Sequence, residues 1–382
     1  MTAAPAAVHQ FVPTLSPRDA IGTHTLAAQS VLREMGLESR VYADTIHHEL
    51  AERAHPFQTH PVGDRGPALL LYQASTGSRV ARYLLGRPEA KVVNYHNITP
   101  FESVAGWEPG LGVEVAAGRR QLAQLAPFTS HAIADSGYNQ AELVGAGYAS
   151  TSVAPLLIDL EAMGGEAHRA TLAYLARLSD QGSSNWLFVG RIVPNKAQHD
   201  LVKALAVYRR LYDPRARLHL IGGASSPAYL HVLRRYVAEL GLTDAVQMPG
   251  PVSHAGLVAY YQGADVFVCA SDHEGFCAPL VEAMYHRLPI VAFASSAVPE
   301  TVGHAGILVP TKDPLTMAAA VAGVVADADL RAGLDRAAEA RLAELSPRRT
   351  RAAFAHAVSE ALTRAEAARG GRGPGLRLSG AA

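Results

Sequence analysis

A chain of 382 residues is more than one hydrophobic core ordinarily serves, and its length predicts two domains. It is 49% hydrophobic with 33 glycines and 23 prolines, the balance of a loop-rich globular protein. Its 34 basic and 34 acidic residues cancel, so nucleic acid is not an expected partner. The charge is unevenly spread: residues 1–170 hold 12 Lys/Arg against 16 Asp/Glu, a net of −4, and the remainder holds 22 against 18. The excess at the far end comes from residues 346–382, with 7 Arg and 2 Glu. Two cysteines, Cys269 and Cys277, lack metal-type or disulfide-type spacing and fit a reduced, cytoplasmic setting. The opening MTAAPAAVHQ lacks the basic and apolar regions of a signal peptide, and no apolar run approaches the ~20 residues of a membrane span.

In chain order, Val8 to Pro13 reads as a strand and Gly22 to Met35 as a helix with an apolar face, ended by Gly36. Strand patterns recur at Ser39–Ala43, Ala68–Gln73, Lys91–Tyr95, Ala132–Ala134 and Val153–Ile158, with helical patterns at Val113–Leu125 and Tyr138–Gly145. After a polar segment, Leu178 to Ser184, a second series begins: strands at Trp186–Val189, Leu218–Ile221, Ala245–Met248, Ala264–Ala270, Pro289–Phe293 and Ile307–Val309. Helices fall between them at Ala197–Leu211, Pro227–Leu240 and Gly256–Gln262. Strands alternating with helices predict an α/β fold of two Rossmann-like, doubly wound parallel sheets facing across a cleft. The expected divisions are 1–180, 181–346, a helix over 347–367 that crosses back to the first domain, and a disordered tail over 368–382.

The densest stretch is Ser271-Asp272-His273-Glu274-Gly275-Phe276-Cys277-Ala278-Pro279-Leu280-Val281-Glu282, which follows a buried strand and enters a helix. Pro279 suits the first helical position and Pro289 stops the helix. The free N–H groups of such a helix start attract phosphate-type anions, and Glu274 and Glu282 stand on either side of it as hydroxyl acceptors. A second constellation, Gly190-Arg191-Ile192-Val193-Pro194-Asn195-Lys196, closes a strand with two cations around a turn. Arg grips phosphate through a planar fork, and Lys acts as a mobile point charge.

Glu-Gly-Phe-x-x-Pro-x-x-Glu-Ala resembles the nucleotide-sugar motif of family 4 glycosyltransferases, retaining enzymes of the GT-B fold. The resemblance implies that Glu274 lies by the donor sugar and that Glu282 accepts from the ribose hydroxyls, kept ionised by the helix N-terminus. It implies that Gly275, Phe276 and Cys277 bind the donor, the last through its N–H rather than its thiol. The Gly-Arg-x-x-x-x-Lys segment is similar to the family's diphosphate grip, so Arg191 and Lys196 would hold the leaving group with no metal or other cofactor. No Asp-x-Asp pair is expected to act as a metal site. His96, in Tyr95-His96-Asn97-Ile98-Thr99-Pro100, matches the family's histidine against the donor sugar, with Asn97 beside it. Gly22, after Asp19, stands where the family has a glycine-rich loop approaching the diphosphate. Pro249-Gly250-Pro251-Val252 resembles the loop lining the nucleobase.

The function expected from this resemblance is retaining transfer of a hexose or N-acetylhexosamine from a nucleoside-diphosphate sugar to a small soluble acceptor. The opening VHQFVPTLSPRDAIGTHTLA and the YHNITP segment resemble aminoglycoside-pathway enzymes acting on 2-deoxystreptamine. An acidic first domain suits a soluble, cationic acceptor better than an anionic membrane surface. A surface-polysaccharide glycosyltransferase and a sugar-nucleotide epimerase of the same architecture stand as alternatives. A dinucleotide oxidoreductase is disfavoured, since Gly-x-Gly-x-x-Gly is missing after the first strand.

Overall fold

A computed structural model describes residues 7–17, 19–61 and 68–370. The first sheet contains β1 (Ala7–Leu15), β2 (Val41–Ile46), β3 (His55–Pro56), β4 (Ala68–Ala74), β5 (Ala90–Tyr95), β6 (Thr129–Ala134) and β7 (Thr151–Val153). Their spatial order is β3-β2-β1-β4-β5-β6-β7, with every pair parallel. The second contains β8 (Asn185–Val189), β9 (Arg217–Ile221), β10 (Val246–Gly250), β11 (Val266–Cys269), β12 (Ile290–Phe293) and β13 (Gly306–Val309), also all parallel. Its order is β10-β9-β8-β11-β12-β13. The chain reverses its winding between β1 and β4 and again between β8 and β11. In open parallel sheets ligands bind beyond the strand ends at such reversals.

Both sheets are covered by helices and their strands are buried almost throughout, as parallel sheets require. Trp186, Phe188 and Phe267 fill the second core, and Phe11, Tyr72 and Tyr95 the first. The first helix, Ala20–Glu34, starts on Asp19, whose carboxylate accepts from Gly22 N at 2.9 Å. It ends at Gly36 in a left-handed conformation (φ 79°), where Gly36 N and Leu37 N bond Arg33 O and Leu32 O.

Several elements depart from the sequence expectation. The strand expected over Val153–Ile158 stops at Val153, because Pro155 has no N–H to extend the ladder. The residues after it, with Leu156, pack against Phe276, Val281 and Leu345 as a connector. Helices Arg79–Leu85 and Arg169–Asp180 and the two-residue strand β3 are not among the expected elements. Helix Arg169–Asp180 lies on the far side of the expected boundary at 180. Leu175 belongs to the second core, and His168 N bonds Ala255 O at 2.8 Å.

The last helix, Pro347–Gly370, does return to the first domain. Phe354, Ala357, Val358, Ala361 and Ala365 join Val8, Leu32, Leu69 and Ile133 in one apolar cluster. Arg351 adds a 2.6 Å pair with Glu34, whose carboxyl is held below its usual range mainly by that hydrogen bond. Three residues expected to begin the tail are helical backbone, and the rest of the expected tail, 371–382, lies outside the described residues.

Candidate active site

The site grows from two loops at the β8/β11 reversal. Gly190 leaves β8 at φ 153°, and a Cβ on neighbouring Gly222 would stand 2.1 Å from Gly190 O, so the two loop glycines make a contact no other residue permits. Arg191 follows, exposed, with no carboxylate partner among the described residues. A short turn, Pro194–Lys196, and left-handed Ala197 (φ 48°) then start the helix Gln198–Leu211.

The second loop leaves β11 and runs from Ser271 to Cys277 before helix Ala278–Tyr285. Its backbone is held at many points. Asp272 N donates to Asn195 O at 2.9 Å, tying it to the first loop, and Glu274 N donates to Ser296 Oγ at 2.7 Å. Ser295 and Thr301 hydroxyls donate to Ser271 O and Phe276 O. Pro279 is the second helical residue, not the first, because left-handed Cys277 (φ 68°) is the cap and Ala278 begins the helix. The helix ends at Tyr285 without help from Pro289: Arg287 takes the left-handed conformation (φ 57°), and Arg287 N and Leu288 N close on Met284 O and Ala283 O.

Lys196 and Glu274 meet across the two loops, Nζ to Oε1 at 2.6 Å, with their side chains 17% and 9% exposed. Burial works against the Lys196 charge, but the Glu274 carboxylate outweighs it and raises the ammonium above its usual range. Lys312 makes a second tie, pairing with Asp272 of one loop and, at 2.8 Å, with Asp200 beside the other.

Glu282 is also drawn inward. Burial pushes its carboxyl up, opposed by the Tyr261 hydroxyl that donates to Oε2 at 2.6 Å. Burial thus works against the charge that the helix N-terminus is expected to favour. Desolvation dominates there, since Glu282 sits a full turn past the helix start, where the terminal field has decayed. The Phe276 side chain does not face the cleft. It is in the apolar cluster with Leu156, Val281 and Leu345, which leaves only its backbone to a ligand.

The first domain meets this loop directly. A Cβ on Gly275 would stand 2.5 Å from Asn97 Cβ and 3.0 Å from His96 O, so the motif glycine is what lets the two domains close. Ser136 Oγ donates to Gly275 O at 2.8 Å, and His273 Nε2 lies 2.5 Å from Asn97 Oδ1. Asn97 holds a left-handed backbone (φ 78°) with Nδ2 on Asn139 Oδ1 at 2.8 Å. Glu300 reaches from the second domain to the start of helix Gly137–Gly145, accepting from Gly137 N at 2.7 and 2.8 Å. Arg341 in turn holds the Glu300 and Thr301 carbonyls.

His96 itself is turned away. Its side chain is 1% exposed, with Nδ1 2.8 Å from Asp135 Oδ2 and Nε2 2.6 Å from Gln73 Oε1. A backbone carbonyl can only accept, so Gln10 turns its amide nitrogen to Thr25 O (3.0 Å) and its oxygen to Gln73 Nε2 (2.8 Å). Gln73 is thereby left with its oxygen toward His96, and Nε2 of the ring carries a proton. Burial raises the Asp135 carboxyl, against the pull of His96. The expected contact of this ring with a donor sugar is not what the geometry offers: His96 presents its backbone to Gly275, and Asn97 presents the side chain.

Gly22 has a local reason as well. A Cβ there would lie 2.5 Å from Ser16 O, so the glycine fits its helix against the preceding loop, and Asp19 is spent on the helix cap. The chain's Asp-x-Asp sequence, Asp327-Ala328-Asp329, is a helix start, with Asp327 capping Leu330 N at 2.9 Å. Sequence reasoning missed Asp135, Ser136, Asn139, His273 and Glu300. Ser136 and Glu300 had a weak signal, a cap residue and a first-turn acid at helix starts. The others depend on which strands lie side by side.

Two parallel Rossmann-like sheets meeting at a strand–loop–helix unit define the GT-B class of fold. Residues 177–341 match the family described as Glycosyl transferases group 1. A D-inositol 3-phosphate glycosyltransferase of Stackebrandtia nassauensis is 37% identical over 157 residues, 38% of this chain and 35% of that protein. A GDP-mannose-dependent alpha-(1-6)-phosphatidylinositol monomannoside mannosyltransferase of Mycobacterium tuberculosis is 34% identical over 172 residues, 43% of each chain. The chain thus spans less than half the length of these curated relatives. A longer and weaker match, 28% over 341 residues, joins it to a D-inositol 3-phosphate glycosyltransferase of Geodermatophilus obscurus, covering 82% of this chain and 68% of the other. Among solved structures, Anabaena HepE in complex with UDP and glucose superposes with a TM-score of 0.70 at 18% identity, over 93% of this chain and 99% of that one. Sucrose-phosphate synthase from Thermosynechococcus elongatus gives 0.68 at 18% identity, over 95% and 98%. At that identity the likeness establishes the fold.

Proposed function

We propose that the protein is a retaining glycosyltransferase that moves a hexose or N-acetylhexosamine from a nucleoside-diphosphate sugar to a small soluble aminocyclitol such as 2-deoxystreptamine. The observation that carries the reading is the Lys196–Glu274 pair: a cation and a carboxylate from the two loops of the sheet reversal, with exposed Arg191 earlier on the Lys196 loop and Glu282 one turn into the helix that follows the Glu274 loop. In this reading Arg191 and Lys196 take the diphosphate and stabilise the charge that gathers on it as the glycosidic bond breaks, the work a metal does elsewhere. Glu282 receives the ribose hydroxyls, and Glu274, once Lys196 turns to phosphate, receives the sugar. The acceptor hydroxyl attacks on the face the nucleotide leaves, and the departing phosphate takes its proton, so the anomeric configuration is kept.

Two facts support this acceptor. Relatives carry the names of enzymes acting on inositol phosphates and phosphatidylinositol mannosides, which are cyclitol acceptors. The first 170 residues are net acidic, a field that favours amines over phosphates on a cyclitol ring. Incubation with UDP-N-acetylglucosamine, UDP-glucose or GDP-mannose and 2-deoxystreptamine tests this by mass and by proton NMR of the new anomeric centre. A pseudodisaccharide with the donor's configuration is expected. Preferential glycosylation of inositol 3-phosphate would overturn the acceptor, and conversion of the donor without acceptor would point to an epimerase instead.

A further inference from the structure

The two cysteines, distant from metal or disulfide spacing in the sequence, come together in the fold. Cys269 ends β11, 1% exposed, and Cys277 caps the helix eight positions later, half-buried. Their sulfurs and a Glu274 carboxylate oxygen all lie within 4.8 Å of one another. Such a set could serve a metal ion, but the Lys196 ammonium already sits 2.6 Å from Glu274, where the cation would be. What remains is a pair of free thiols beside the buried Lys196–Glu274 pair: the contact between the sulfurs favours the thiolate at Cys269, while that same contact, burial and the Glu274 carboxylate push the Cys277 thiol up. Cys269 Sγ has one other polar neighbour, Ser271 Oγ at 3.3 Å.

We propose that Cys269 and Cys277 form a reversible disulfide that switches off the donor site. The effect on donor binding rests on the function proposed above, but formation of the bond does not. A low-molecular-weight disulfide is the oxidant. Cys277, the more accessible, gives up its thiol proton to solvent and attacks this disulfide to give a mixed disulfide, releasing one thiol. The Cys269 thiolate then attacks the Cys277 sulfur, expelling the second thiol. Two cysteine thiols are oxidised and one external disulfide is reduced to two thiols.

A sulfur–sulfur bond of about 2.05 Å requires the two sulfurs to approach from their present separation. The segment that must yield is the loop between them, which carries Asp272, His273 and Glu274. Cys277 already holds a left-handed backbone (φ 68°, ψ 66°), a conformation side chains disfavour, so the cap is the natural place for the chain to shift. Closing the bond draws the helix start toward the strand end and removes Glu274 from Lys196. The donor loop would lose the ion pair that joins it to the Gly190–Lys196 loop.

The test uses the full chain, reduced with dithiothreitol or equilibrated with oxidised glutathione. Intact mass and peptide mapping report the bond, and calorimetric titration with UDP and with GDP reports the donor site. Expected are a loss of two hydrogens in mass, a crosslinked peptide pair containing Cys269 and Cys277, and at least a ten-fold weaker nucleotide affinity restored by dithiothreitol. Cys269→Ala should give neither the crosslink nor the oxidative loss of affinity, and Cys277→Ser should likewise give no crosslink. Glutathione on Cys277 alone, or both thiols unchanged, would overturn the proposal. If the reduced protein binds neither nucleotide, the donor reading fails, and the crosslink still decides whether the bond forms.

Discussion

Glu282 and Lys196 make opposite demands on the ligand-free protein. Glu282 is a buried acid whose carboxyl is pushed up by desolvation, so its charged form costs stability as pH rises past the ordinary carboxylate range. Glu282→Gln keeps an oxygen for the Tyr261 hydroxyl and removes the charge. Thermal unfolding at pH 7.5 should show the variant at least as stable as the parent, and a clear loss of stability would contradict the burial argument. Lys196 is the reverse case. Lys196→Ala leaves Glu274 buried without its cation, which costs about 3 kcal/mol in urea unfolding, and adding Glu274→Gln should recover a large part of it. Additive losses would mean the pair is not coupled. Each of these residues was legible in the sequence through its motif. Their pairing was not, because it follows from β8 and β11 being neighbours in the sheet. The orientation of His96 was equally hidden, since it is set by Gln73 on the adjacent strand β4 and Asp135 at the end of β6.

At the scale of elements, the loop after β11 is bound on both sides, to the second domain through Ser295, Ser296 and Thr301 and to the first through Asn97, Ser136 and Gly275. Glu300 adds a carboxylate at the N-terminus of helix Gly137–Gly145, a placement worth about 1 kcal/mol. Glu300→Ala should shift the molecule toward a more open cleft, seen as a larger radius of gyration in small-angle scattering without nucleotide. An unchanged scattering profile would remove Glu300 from domain closure. Strand positions followed hydrophobic runs and were readable to within a few residues. Helix ends were less so: Arg287 stands in a left-handed cap where sequence pointed to Pro289, and Ala197 and Cys277 take the same conformation although neither residue type signals it. Helix Arg169–Asp180 has a readable apolar stripe, Leu172, Leu175 and Leu178 three apart, but it directly precedes the polar segment expected to divide the domains and was not singled out.

For the whole molecule, the alternation of strands and helices was enough to foretell two parallel sheets, while the packing of the last helix against Val8, Leu32, Leu69 and Ile133 is a fact of the fold. What sequence could not supply was the closed relation of the domains, which depends on Gly275 meeting Asn97. The proposed function requires these domains to close over a nucleoside-diphosphate site. Calorimetric titration of UDP and GDP into the reduced parent, Arg191→Ala and Glu282→Gln tests it most directly. Arg191 is exposed and unpaired among the described residues, so its removal leaves the fold intact. The prediction is that at least one nucleotide binds the parent and that each variant binds it at least ten-fold more weakly, about 1.4 kcal/mol. Binding of neither nucleotide by the parent, or parental affinity in both variants, would contradict it.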